Sequence, residues 1–120
     1  MTWVRVGTKS VSVTISKPAV LPEVISWSVS PDKKTYAPGD TIVLSITIST
    51  GDGTDPLPLY WEVSAFGRTY TSSAVYQNPN TTRTYTTNIP IPTTISEGSY
   101  TIGVTLYKGT TPGEAPPGAV

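Results

Sequence analysis

The groups in this 120-residue chain that could do chemistry are few, and the missing ones exclude the most. Histidine and cysteine are both absent. That removes Cys/His zinc sites, thiol nucleophiles, Ser-His triads and any disulfide framework. Carboxylates, hydroxyls and aromatic rings remain. Hydrolysis of a glycoside by general acid–base chemistry needs two acids facing one cleft. Glu62 falls on the outward face of an alternating segment, while Asp40, Asp52 and Asp55 fall at the ends of neighbouring segments; no spacing singles out a pair. Within Asp52-Gly53-Thr54-Asp55 two carboxylates share a loop. Asp52 and Asp55 are therefore the candidate ligands for a hard cation such as calcium, which takes about six to eight oxygens. The EF-hand pattern is missing, and Asp and Gly are ordinary loop residues. The expectation is a chain that is no enzyme, with no catalytic residue, no cofactor and no metal.

The aromatic residues carry more. Tyr60 and Phe66 point away from the expected core, and Tyr70, Tyr76 and Tyr107 are placed to join them. Outward aromatics on a sheet stack on sugar rings or make protein interfaces, so Tyr60, Phe66, Tyr70 and Tyr76 form a candidate platform for a glycan or a partner. Trp3 lies in a terminal segment and reads as an anchor that docks elsewhere. Asn80-Thr81-Thr82 fits the N-linked glycosylation acceptor, with Asn80 in an expected loop.

Composition sets the environment. Charged residues are 13% of the chain, and eight Lys and Arg balance eight Asp and Glu. No net field recruits nucleic acid or anionic lipid. Threonine occurs 21 times and serine 13 times, beside 12 prolines and 10 glycines. Thr favours strands while Pro and Gly punctuate turns, which points to an all-β chain with short loops. No apolar run approaches the roughly 18 residues of a membrane span, so no membrane insertion is expected. Met1-Thr2-Trp3-Val4-Arg5-Val6 shows neither a basic n-region nor an apolar h-region. A hydroxyl-rich, charge-poor surface without an export signal suits a virion component, or a mature chain at an extracellular or cell surface.

The elements that must position these groups are read from period-two alternation. Asp40 to Thr50 is the clearest strand, with Ile42, Leu44, Ile46 and Ile48 on one face. Tyr36-Ala37-Pro38-Gly39-Asp40 supplies the turn before it. Upstream, Ile25, Trp27 and Val29 alternate with serines until Pro31. Downstream, Leu59, Trp61, Val63 and Ala65 share a face, and Gly67 allows a turn into Arg68 to Ser73. Thr82 to Ile91 places Tyr85, Thr87, Ile89 and Ile91 together, with Pro90 and Pro92 confining its end to an edge or crossover. Gly98 to Tyr107 is the last expected strand. No segment has helical spacing.

Two of these segments resemble the bacterial and archaeal immunoglobulin-like surface domains. Tyr36-Ala37-Pro38-Gly39-Asp40-Thr41 and its alternating continuation look like the second strand of such domains, and Ser96-Glu97-Gly98-Ser99-Tyr100-Thr101-Ile102 resembles the penultimate one. Trp61 falls where the family often has a core aromatic. The resemblance covers roughly residues 24 to 108 and implies an immunoglobulin-like antiparallel β-sandwich, without the disulfide of antibody domains. A complete sandwich of that type needs one more strand after Tyr107. The stretch from Lys108 to Val120 is instead rich in Pro and Gly.

The other terminus has a surplus. Trp3-Val4-Arg5-Val6 and Val11-Ser12-Val13-Thr14-Ile15 are both strand material, followed by a linker holding Pro18 and Pro22. The expected organisation is an N-terminal β arm and linker over 1–22, a sandwich over 23–108 and a flexible tail over 109–120. Unpaired sheet edges attract strands. The arm either folds onto its own core or adds to a neighbour's edge, with Trp3, Val4, Val6, Val11, Val13 and Ile15 as interface residues. The function expected is that of a structural subunit of a virion or surface filament. It would associate with itself, or with other structural proteins of one assembly, by strand addition. The alternative is a carbohydrate-binding or adhesion module built on the exposed aromatics.

Overall fold

The computed structural model describes residues 2–13 and 19–115. Seven strands occur in them: β1 (Val24–Pro31), β2 (Thr41–Thr50), β3 (Leu57–Ala65), β4 (Arg68–Thr71), β5 (Val75–Gln77), β6 (Thr82–Pro90) and β7 (Gly103–Lys108). Every pairing is antiparallel. One sheet has the order β1-β2-β6. In the other, β3 is central, with β4 and β5 pairing different stretches of it and β7 also pairing it. The described residues contain no helix, and the fold is all-β.

Alternation builds the core as the sequence pattern predicts. Ile42, Leu44, Ile46 and Ile48 of β2 are buried against Leu59, Trp61, Val63 and Ala65 of β3, with Ile89 and Ile91 beside them. Burying one such side chain contributes about 1.5–3 kcal/mol, so these two faces dominate the stability of the fold. Register carries the pattern into neighbouring strands: Ile46 lies opposite Tyr85 and Leu44 opposite Thr87. β6 is an edge strand, which accommodates Pro90.

Turn chemistry joins the strands where the sequence places it. Ala37-Pro38-Gly39-Asp40 closes with the Asp40 amide donating to the Ala37 carbonyl at 3.1 Å, and Gly39 takes φ +86°. That geometry needs a residue without a Cβ after the proline. Phe66 and Gly67 both have positive φ between the paired Ala65 and Arg68, as a two-residue hairpin turn of matching twist requires.

Three expectations are corrected. A bulge between Val24 and Ser26 takes Ile25 out of the alternation, so the inner face of β1 is Val24, Trp27 and Val29. The last strand begins at Gly103, not Gly98. Upstream of it the Tyr100 hydroxyl donates to the Ser96 carbonyl, holding a bend instead of a ladder. Within the stretch expected as a flexible tail, the Glu114 carboxylate accepts from the amides and hydroxyls of Thr110 and Thr111; residues 116–120 lie outside the described residues. Finally, residues 2–13 form no strand, and every one of them is exposed. An alternating sequence is only strand material until an edge pairs with it.

Candidate functional site

The two sheets meet very differently along their two sides. On the side where β6 faces β3 and β5, polar groups close the seam. Trp61 Nε1 donates to the Thr87 hydroxyl at 2.7 Å, and the Trp61 and Tyr85 rings lie 5.3 Å apart. Gln77 is buried, its amide donating to the Ile48 and Thr81 carbonyls while its oxygen accepts from the Tyr85 hydroxyl. Burial raises the Tyr85 pKa. Among the described residues, no buried side-chain polar atom lacks a partner.

The opposite side, between β1 and β7, is open. Trp27 and Val29 lie opposite Ile48 and Ile46 in the ladder, so they face inward, yet they are 42% and 37% exposed. Val104 and Leu106 lie opposite Val63 and Trp61 on the inner face of β7 and are only half-buried. Inward residues stay this exposed when the layer that should cover them stops short. The result is an open groove of ≈ 290 Å³ lined by Glu23, Val24, Trp27, Leu106 and Lys108. Lys108 shares the inner face with Leu59 and reaches the Glu23 carboxylate at 2.7 Å, marking one end of the groove.

That end is also where the arm is rooted. The amides of Thr54 and Asp55 donate to the Val20 carbonyl, the Val20 amide donates to the Thr54 hydroxyl, and the Gly51 amide donates to the Glu23 carbonyl. A Cβ on Gly53 would lie 2.8 Å from the Pro22 nitrogen, so only glycine lets the linker pass. Asp52 and Asp55 thus belong to a loop that clamps the linker, and the Asp55 carboxylate accepts the Thr54 hydroxyl. No group of three or more ligating side chains forms among the described residues.

Of the arm residues, Trp3 is 90% exposed, and Val4, Val6, Val11 and Val13 are exposed with it. Ile15 lies outside the described residues. One signal that the whole-chain charge hides becomes visible once the arm is set apart from the body. Residues 1–22 carry Arg5, Lys9 and Lys17 and no acid, whereas residues 23–120 hold eight acids and five cations. The balanced total conceals a basic arm on an acidic body.

The four aromatics of the candidate platform do not come together. Tyr60 is stacked on Tyr107 across the outer face at 4.7 Å, and burial against this neighbour, with the Glu62 charge nearby, raises its pKa. Phe66 sits at the hairpin tip against Tyr100 and is half-buried against the core, which corrects its outward assignment. Tyr70 lies opposite Val63 and packs on the core, which corrects its outward assignment. Tyr76 is exposed, and its hydroxyl donates to the Glu114 carbonyl in the turned-back tail. Asn80 is exposed in the β5–β6 connection with φ +55°. No protein-family model, curated protein or solved structure matches the chain.

Proposed function

We propose that this is a non-enzymatic structural subunit with an immunoglobulin-like β-sandwich, whose copies are joined through the N-terminal arm by β-strand addition in a virion or surface filament. The observation that carries this reading is the arm itself: its residues alternate like a strand, yet all those from 2 to 13 are exposed and unpaired. Apolar side chains at Trp3, Val4, Val6, Val11 and Val13 left in water gain free energy by docking. The immunoglobulin-like part is supported by the sheet orders and by the Tyr100 hydroxyl bonding four residues back, the habit of a tyrosine corner.

Light scattering across a concentration series tests the proposal, comparing the full chain with one lacking residues 1–17. The full chain forms oligomers or polymers that grow with concentration, and the shortened chain stays monomeric with an unchanged β-type circular dichroism spectrum. A full chain that is monomeric at every concentration defeats the proposal.

A further inference from the structure

We infer that the arm of one copy is received by the β1/β7 groove of the next, lying antiparallel to β7, so that copies join head to tail. This rests on the self-assembly reading above and names its acceptor and its polarity.

The acceptor follows from comparing the edges. At the β6 edge the inner residues Thr87 and Tyr85 are engaged by Trp61 and Gln77, and the strand ends in Pro90. The β4/β5 edge is split into runs of 4 and 3 residues. Among the described residues, Trp27 and Val29, which face inward beside β7, are the inner-face apolar side chains of the strands left exposed. Because the exposed pair Trp27 and Val29 belongs to the β1 sheet, the missing cover belongs to the opposite layer, which stops at β7. A strand hydrogen-bonded to the free edge of β7 would place Val11 and Val13 over Trp27 and beside Leu106, with Ser10 and Ser12 outward next to Thr105 and Tyr107.

Length agrees. At ~3.3 Å per residue, residues 2–13 reach about 40 Å, while β7 needs about 20 Å of pairing.

The polarity follows from where the arm is rooted. β1 begins and β7 ends at the Glu23–Lys108 bridge, and the copy's own arm departs there. Antiparallel pairing is the more stable per residue and is used throughout both sheets. A donor running antiparallel to β7 leaves the groove at the Gly103 end. Its body then lies beyond that end, presenting its own Glu23 end. Each copy gives at one pole and receives at the other, a contact that does not close on itself. A donor parallel to β7 would leave at the Glu23–Lys108 end and allow two copies to exchange arms reciprocally.

The absence of native cysteine makes disulfide trapping clean. Chains carrying S10C or S12C are mixed with chains carrying G103C, T105C or Y107C, with T86C on β6 as control. S12C is trapped at G103C or T105C and S10C two residues later, at T105C or Y107C respectively, with at least about tenfold more mixed disulfide than the T86C control, since pairing creates the high local thiol concentration of a short tether. V11D and V13D abolish trapping, and because both valines are exposed they leave the domain folded. Arm-dependent oligomers that trap at T86C, or at no β7 position, overturn the groove while leaving self-assembly standing. S10C trapped two residues earlier than S12C overturns the polarity, and monomers alone overturn both this inference and the reading beneath it.

Discussion

Replacing Val11 and Val13 together by alanine separates docking from folding by magnitude. In the isolated copy these side chains are 84% and 76% exposed, so removing their methyl groups takes almost nothing from the folded state. Surface changes of this kind stay within about 0.5 kcal/mol. If both valines are buried in a neighbour's groove, each substitution loses two methyl equivalents at about 0.8 kcal/mol apiece. The pair then loses about 3 kcal/mol. Each 1.4 kcal/mol is about tenfold in affinity, so the concentration at half-assembly rises by roughly two orders of magnitude. Sedimentation velocity over a wide concentration range reads that midpoint, and thermal unfolding of the dilute monomer reads the fold. A midpoint that moves by less than about threefold, with melting unchanged, refutes apolar docking of the arm, because the lost burial at ~1.4 kcal/mol per decade could not be hidden. A large fall in melting temperature instead places the valines inside the copy's own fold.

Three further outcomes are expected. Gln77→Ala leaves the Tyr85 hydroxyl and the Ile48 carbonyl without their buried partner and costs about 2–3 kcal/mol, read as a lower urea midpoint at unchanged slope. Gly53→Ala drives a Cβ into Pro22 and the Val20 carbonyl, so hydrogen exchange at the Thr54 and Asp55 amides accelerates while the core amides stay protected. Acid weakens the fold through Asp32, whose pKa is lowered by the Tyr36 hydroxyl and then the Val43 amide, and through Glu114, lowered mainly by the Thr111 hydroxyl. A folded pKa below the unfolded one means that the unfolded chain binds the proton first. Their contribution is therefore full above the unfolded value near pH 4 and is lost as pH falls through the folded value; Asp32→Asn flattens the slope of urea midpoint against pH in that window.

What the sequence reveals of this molecule is what period-two patterning encodes. Ile42 to Ile48 and Leu59 to Ala65 announce their buried faces because each strand has a partner sheet along its whole length. Where pairing and not periodicity decides, the reading slips. Tyr70 looks outward by position but is turned inward by its pairing with Val63 across a two-residue hairpin. Ile25 breaks step because a bulge inserts it. β5 spans 3 residues, too short for alternation to register. Trp27 and Val29 are legible as inner-face residues, yet their exposure is not, since no pattern within β1 records where the opposite sheet ends. The arm shows the converse: Val11 and Val13 alternate like a strand, and only the tertiary structure reveals that the copy itself leaves them unpaired.

The clamp on Val20 and Glu23 has a mechanical meaning. A pull on the arm is not delivered to β1 alone, because the hydrogen bonds from Gly51, Thr54 and Asp55 pass it into the connection between β2 and β3, and those two strands lie in different sheets. Load applied at one point is thus shared between both layers before β1 begins to slide. In the head-to-tail assembly inferred above, the tension would run along β1, so its ladder with β2 would be strained in shear, many hydrogen bonds at once, and not peeled open one bond at a time. A terminus tied down this way would meet traction with both sheets, not with its own short length of contact alone.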